Sequence, residues 1–389
     1  MDATELIELV KRGEDSRTQF KRNLANAESL AGDIVAFSNC KGGRIVVGVG
    51  DDGQIAGLSP DDIRRINQLV SNAATNLVRP AVNPFSENVS TATGQVVMVV
   101  TIAEGLSIPH ADNNGVFWVK SGADKRRVTS REEIQRMMQG AGLVHADEVP
   151  VGGAAVADVD REHLGEFFAK QYGETLDEAL VRDRVSTGQL LQNLGLAREG
   201  ALNLAGLLLF AANPQRFRPA FIVKAVSFIG DDPAGDKYRD SEDIGGCIRS
   251  MHRGTMSFLT RNLRRLQGDK GFNSLGDLEI PVAALEEIVV NMLLHRDYFV
   301  TAPWRVMIFD NRVEITSPGA LPNNLTVENI RNGVSVIRNP LIASYATKEL
   351  PYRGIGTGVR RALAAAPGIE LESNAGENLF TARIPRKGG

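Results

Sequence analysis

Glu287-Ile288-Val289-Val290-Asn291-Met292-Leu293-Leu294-His295-Arg296-Asp297-Tyr298 is the stretch on which the reading of this chain turns. At the helical period, Glu287, Asn291 and His295 recur every fourth residue and share one stripe, while Leu285, Ile288, Val289, Met292 and Leu293 cover the other faces. Pro281 suits the first helical position, and Glu286 and Glu287 follow where carboxylates complement the helix dipole. On its own the segment fits an ordinary amphipathic helix with a solvated polar stripe equally well. Its surroundings decide between the two.

Downstream, Trp304 to Phe309 and Val313 to Ile315 read as strands joined by a tight turn at Asp310-Asn311-Arg312, followed by the loop Thr316-Ser317-Pro318-Gly319-Ala320-Leu321-Pro322. Arg338-Asn339-Pro340 opens a helix, and Gly354-Ile355-Gly356-Thr357-Gly358 precedes another over 359–366. Glycines just before a helix leave backbone N–H groups free to face an anion, with the helix dipole behind them. A polar helix stripe, a Pro-Gly loop after a hairpin and a glycine loop before a helix therefore predict a phosphate pocket whose floor carries Glu287 and Asn291. Gly235-Asp236-Lys237 is no P-loop, and the Gly-Lys-Ser/Thr run that a P-loop needs does not occur.

Upstream, 160–172 and a segment from Ser186 read as helices, 201–210 as a continuous apolar segment, 221–228 as a covered strand and 231–243 as a polar loop. A helix over 246–267 carries Arg249, Arg253, Arg261, Arg264 and Arg265, read as a solvated face. Gly- and Ala-rich sequence around Pro150 marks a linker over 140–157. Before it come a short helix over 6–10, a charged extended segment over 13–22, a helix with Leu30, Ile34 and Phe37 in phase, and strands over 44–49, 96–100 and 116–120. Gly48-Val49-Gly50-Asp51-Asp52-Gly53 formally fits a dinucleotide fingerprint, but no helix follows, so a hairpin turn is predicted there.

The chain has 389 residues, enough for two or three domains, with 43% hydrophobic and 23% charged residues. No apolar run approaches the ~20 residues of a membrane span and the N-terminus is no signal peptide, so a cytoplasmic protein without membrane contact is expected. Cys40 and Cys247 lack metal-ligand spacing and read as buried or idle thiols. A net charge of -3 excludes a globally basic coat. Nucleic acid would have to meet a local patch, for which Arg17, Lys21 and Arg22 form one candidate cluster and Lys125, Arg126 and Arg127 the other.

On Gly13-Glu14 leading to Phe20-Lys21, Ala36-Phe37-Ser38-Asn39 with Gly42-Gly43, Val47-Gly48-Val49 with Gly57-Leu58, and Val119-Lys120-Ser121-Gly122, residues 1–138 resemble the Schlafen AlbA-type DNA-binding domain of prokaryotic regulators. Nuclease members of that family hold a metal on two glutamates five residues apart and a later aspartate. Glu14 matches the first, Gln19 replaces the second, and Asp51 or Asp52 corresponds loosely to the third, so the resemblance implies binding rather than cutting. The second half is similar to the divergent GHKL-type ATPase module of regulators labelled RecG-like, on Glu287 to Asn291, His295 to Tyr298, Ser317-Pro318-Gly319, Arg338-Asn339-Pro340 and Gly354-Ile355-Gly356. This resemblance implies Glu287 as the base that polarises water and Asn291 as the Mg²⁺ ligand, with Gly319, Gly354, Gly356 and Gly358 around the phosphates. His295 is left between a catalytic and a packing role. The aspartate that such modules turn to adenine is replaced by Ile315-Thr316-Ser317, and Asp310 or Glu314 is the nearby carboxylate that could stand in.

The expectation is thus an α/β (α+β) multidomain protein. It would comprise a mixed AlbA-like nucleic-acid-binding domain over 1–139, the linker over 140–157, a connecting α/β region over 158–280 and a GHKL-type α/β sandwich over 281–389. Mg²⁺-ATP in the sandwich would switch a DNA-binding regulator, with DNA preferred to RNA, weak ATPase activity, and a homodimer or higher oligomer as the assembly. A Schlafen-type metal-dependent nuclease and a non-hydrolysing partner-binding scaffold are the alternatives. Longer relatives append a winged helix, and this sequence ends at Gly389, so DNA contact is expected from the N-terminal half.

Overall fold

Asp2 accepts the N–H groups of Thr4 and Glu5 while Glu5 reaches back to the N–H of Asp2, so a capping box starts the helix Ala3–Arg12. The computed structural model describes residues 1–105, 107–269, 271–322 and 325–386, and the chain divides into two units, Met1–Val144 and His145–Gly389. The architecture is α+β.

In the first unit the strand Thr18–Lys21 runs parallel to Gly43–Val47, and the helix Ala27–Ser38 crosses between them. Val96–Ile102 and then Phe85–Ser90 extend the sheet antiparallel. Strand side chains alternate between faces. Ile45, Val47, Met98 and Val100 therefore meet Leu30, Ile34 and Phe37 of the crossing helix, while Val46, Val97 and Val99 meet Leu6 and Leu9 on the other face. The 48–53 segment is a turn, closed by the Gly50 N–H on the Gln54 carbonyl, and no helix follows it directly.

The second unit is built on a six-stranded sheet in the order Tyr238–Ile244, Val223–Phe228, Trp304–Ile308, Arg312–Pro318, Leu379–Pro385, Glu370–Asn374. The Val223/Trp304 pair is parallel and the other pairs antiparallel. The helices Ile248–Asn262 and Val282–Leu294 cover one face, where Val223, Ala225, Trp304, Val306, Ile308, Val313 and Ile315 are buried.

Several expectations give way here. Within the supposed linker, Pro150–Ala155 is a strand paired with Ala201–Asn203, and Val151 and Ala154 are core residues. Asp147 from the same stretch is fully buried and accepts the Ile342 N–H in the first turn of the helix Pro340–Glu349. The apolar segment 201–210 is that strand followed by the helix Leu204–Phe210, started by an Asn203 cap. The second half of the expected polar loop 231–243 belongs to the strand Tyr238–Ile244, whose polar side chains suit a sheet edge. This strand and its neighbour put residues of the supposed connecting region into the same sheet as residues beyond 281. The arginine-bearing helix stops at Asn262, and Arg249, Arg261 and Arg264 are held in ion pairs with Glu166, Asp240 and Glu279.

The helix Val282–Leu294, capped by Pro281 rather than begun by it, is anchored at its far end by side chains. Its last carbonyls have no partner within the helix. Met292 O accepts from the Trp304 indole (2.9 Å) and Ser317 Oγ (3.2 Å), Leu293 O from Tyr298 OH (2.9 Å), and Leu294 O from Asn339 Nδ2 (2.8 Å), which also reaches Arg296 O (3.0 Å). Arg296 is fully buried, its guanidinium 4.3 Å from the Trp304 ring, 4.6 Å from Phe221 and 5.2 Å from Tyr298. Burial lowers its pKa to about 10. Much of the His-Arg-Asp-Tyr and Arg-Asn-Pro sequence is therefore packing that fixes one helix against the sheet.

Candidate functional site

Above that helix lies a cleft whose empty space, counted out into solvent at its open mouth, is about 1110 Å³. Glu287, Asn291 and His295 form its floor. Ile315, Ser317, Leu371, Phe380 and Ala382 of the sheet form one wall, and the Pro-Gly loop and the 352–361 segment form the rest.

Glu287 is buried and ion-paired with Arg361. Burial raises its carboxyl above the ordinary carboxylate range, partly opposed by the Arg361 charge, which suits a proton acceptor. Asn291 donates Nδ2 to the Glu287 carbonyl at 2.6 Å. Its amide is thereby oriented with Oδ1 as the remaining acceptor, the atom type a hard cation takes. Gly358, first residue of the helix Gly358–Ala365, approaches so closely that a Cβ there would overlap the Glu287 carboxylate and lie 3.3 Å from Asn291 Nδ2. That helix has no side-chain cap, so its first N–H groups and its dipole face the cleft beside Glu287.

Gly319 sits at φ +107°, and a Cβ there would lie 2.6 Å from both Asp297 Cβ and Arg338 Nη1. The Pro-Gly turn is thus pressed against the base of the cleft. Arg338 donates Nη2 to Ala320 O at 2.9 Å, while its buried Nε and Nη1 have no hydrogen-bond partner among the described residues. His295 closes the helix end, edge-on to Tyr352 at 6.4 Å. Burial and then the Arg338 charge lower its pKa to about 4.

Glu287, Asn291, His295, Gly319, Gly354, Gly356 and Gly358 therefore come together as expected neighbours, whatever each one does. Asp310 does not join them. It lies at the hairpin tip, ion-paired with Arg239 at 2.8 Å and accepting the Gly230 N–H. Glu314 faces the outer side of the sheet, with Arg312 and Arg383. Sequence reading missed Arg338, Tyr352 and Arg361 as cleft residues. The spacing of Arg361, one helical turn beyond Gly358, was the available signal.

In the first unit, Lys125 is paired with the buried Asp33 at 2.9 Å and Arg126 bonds Glu133 through both terminal nitrogens. These two are structural partners rather than free cations. Arg17, Arg22 and Arg127 are exposed and Lys21 is half-buried. Glu14 accepts the Phe20 N–H (2.5 Å) and Asp52 the Gln54 N–H (3.0 Å), while Asp51 lies exposed in the same turn as Asp52. Among the described residues no group of three or more His, Cys, Asp or Glu is placed to hold a metal.

A helix-backed mixed sheet with a polar helix as floor and a glycine loop running into a second helix defines an ATPase-like α/β module that uses no P-loop. Comparison with known families gives the same class. Residues 302–376 match the family described as "Putative ATP-dependent DNA helicase recG C-terminal", and residues 14–129 match that described as "Schlafen, AlbA_2". The chain combines an N-terminal Schlafen AlbA_2 domain with a C-terminal RecG-like ATPase-type region. The latter match includes Gly319, Gly354, Gly356 and Gly358, whereas Glu287 and Asn291 precede it.

Among solved structures, the chain is similar to the DIP2311 protein from Corynebacterium diphtheriae, with 21% identity, TM-score 0.48, and coverage of 99% of this chain and 80% of that one. It is also similar to the N-terminal domain of a RecG-related protein from Nitrosomonas europaea, with 21% identity, TM-score 0.23, and coverage of 34% and 96%. No match is found among curated proteins.

Proposed function

We propose that the chain is a nucleic-acid-binding regulator whose second unit binds Mg²⁺-ATP and whose first unit contacts DNA. The observation that carries the nucleotide half is the joint placement of Glu287, Asn291 and the uncapped N-terminus of the Gly358 helix in one cleft. The cleft fits the expected group. Asn291 Oδ1 would hold the cation, and the first-turn N–H groups and the unpartnered Arg338 nitrogens would face phosphate oxygens. Bound Mg²⁺ supplies charge neutralisation at the phosphates. Glu287, with its raised pKa, would accept a proton from water once Arg361 turns from the carboxylate toward phosphate. For the DNA half, the AlbA_2 match and the exposed Arg17, Arg22 and Arg127 support a phosphate-facing surface.

Thermal unfolding with and without Mg²⁺-ATP tests the first claim. The wild type should gain several degrees and Asn291→Ala should not, and equal shifts in both would refute it. Glu287→Gln should retain the shift and release no phosphate. DNA affinity that ignores both salt and charge reversal at Arg17 and Arg127 would refute the surface, and affinity unmoved by Mg²⁺-ATP would refute the switch.

A further inference from the structure

Outside the cleft, three side chains distant in sequence meet in a row. Cys247 caps the helix Ile248–Asn262, His163 comes from the helix Arg161–Tyr172, and Glu349 ends the helix Pro340–Glu349. Cys247 Sγ lies 3.8 Å from His163 Nδ1 and 3.4 Å from Ser250 Oγ, and His163 Nε2 lies 2.8 Å from Glu349 Oε2. A carboxylate on one imidazole nitrogen fixes the ring and favours its charged form, and the other nitrogen then points at sulfur. The thiol also stands at a helix N-terminus, where a negative sulfur is favoured. Packing alone would be served by an apolar residue here. Instead the buried Cys247 thiol and Glu349 carboxylate are both satisfied through His163.

We infer that Cys247 is a modification site, a thiolate activated by His163 and Glu349 and oxidised by small hydroperoxides. Size follows from burial, because Cys247 is 7% exposed and the Glu349 side chain 3%, which admits a peroxide and excludes a macromolecule. In the step, sulfur attacks the distal peroxide oxygen, the S–O bond forms and the O–O bond breaks. The thiolate is oxidised by two electrons to a sulfenic acid and the peroxide is reduced. The departing hydroxide takes the proton of the His163 imidazolium, leaving as water when the oxidant is hydrogen peroxide. Burial opposes charge on both groups, but their hydrogen bonds outweigh it, raising His163 to about 9 and lowering the thiol. The charged groups around the pair are Glu166 and Lys170 on the His163 helix, Arg249 on the cysteine's own helix, and Glu349.

The test uses the full chain with Cys40→Ser, which leaves Cys247 as its thiol, and glutathione in the same tube as reference. Alkylation by iodoacetamide and sulfenic acid formation with hydrogen peroxide are followed by mass spectrometry from pH 5.5 to 9. At pH 6 Cys247 should react about tenfold faster than glutathione, with a shallow pH profile. In His163→Gln the rate at pH 6 should fall about tenfold and the profile should steepen toward pH 9. A Cys247 inert in the folded protein, or one that follows glutathione at every pH, overturns the inference without reference to any His163 variant.

Discussion

Gly358 carries no side chain, and that absence lets a helix start against the Glu287 carboxylate. Gly358→Ala should cost roughly 1–3 kcal/mol, the usual range for overpacking, and abolish the Mg²⁺-ATP stabilisation while the far-ultraviolet dichroism is kept. Calorimetry with and without nucleotide checks both. His295 makes a different prediction. Its folded pKa of about 4 lies below the ~6.5 of an unfolded histidine, so the unfolded chain takes up the proton first. The stability that this neutral imidazole contributes is present above pH 6.5 and lost as pH falls toward 4. Denaturant titrations should show His295→Gln losing less stability than the wild type across that window, by about 3 kcal/mol at most. Glu287, Asn291 and His295 share the cleft floor because four-residue spacing fixes a helix face. Asp310 was a poor choice because its proximity along the chain carried no information about the hairpin tip. The two-residue alternation from Ile315 already turned Glu314 outward.

At the scale of elements, the floor helix is held at one end by hydrogen bonds from Trp304, Tyr298, Ser317 and Asn339 to its last carbonyls. Asn339→Ala would leave Leu294 O and Arg296 O buried without that donor. The expected loss is roughly 2 kcal/mol in urea unfolding, together with weaker nucleotide binding, since the floor would no longer be fixed. The helix itself was legible from its apolar period. Its anchoring was not, because Asn339 and Leu294 are brought together by tertiary packing. Two strands escaped for separate physical reasons. Tyr238–Ile244 is a polar edge strand, and Pro150–Ala155 hides two buried side chains among glycines and alanines that resemble a linker.

For the whole molecule, these elements predict where the chain can be divided. Residues 145–389 should unfold in one cooperative transition, whereas a fragment starting at 158 lacks Val151, Ala154 and the Asp147 cap and should unfold broadly or aggregate. Scanning calorimetry of the two fragments decides. The α+β character of the chain and the match of each half to its family are consistent with what the motifs implied. The boundaries were harder to read, since composition reports flexibility poorly where small residues are themselves part of a sheet.

The caged Trp304 has an optical consequence. The chain has 2 tryptophans, one in each unit. Trp304 is sealed from water with its indole N–H on the Met292 carbonyl, whereas Trp118 is half-buried, bonded to Asp112 at 2.8 Å and overlain by the Lys125 ammonium at 5.4 Å. The two should emit at different wavelengths, Trp304 further to the blue. With Trp118→Phe, fluorescence would report the second unit alone, and with Trp304→Phe the first unit alone, so each half can be watched separately within the intact chain.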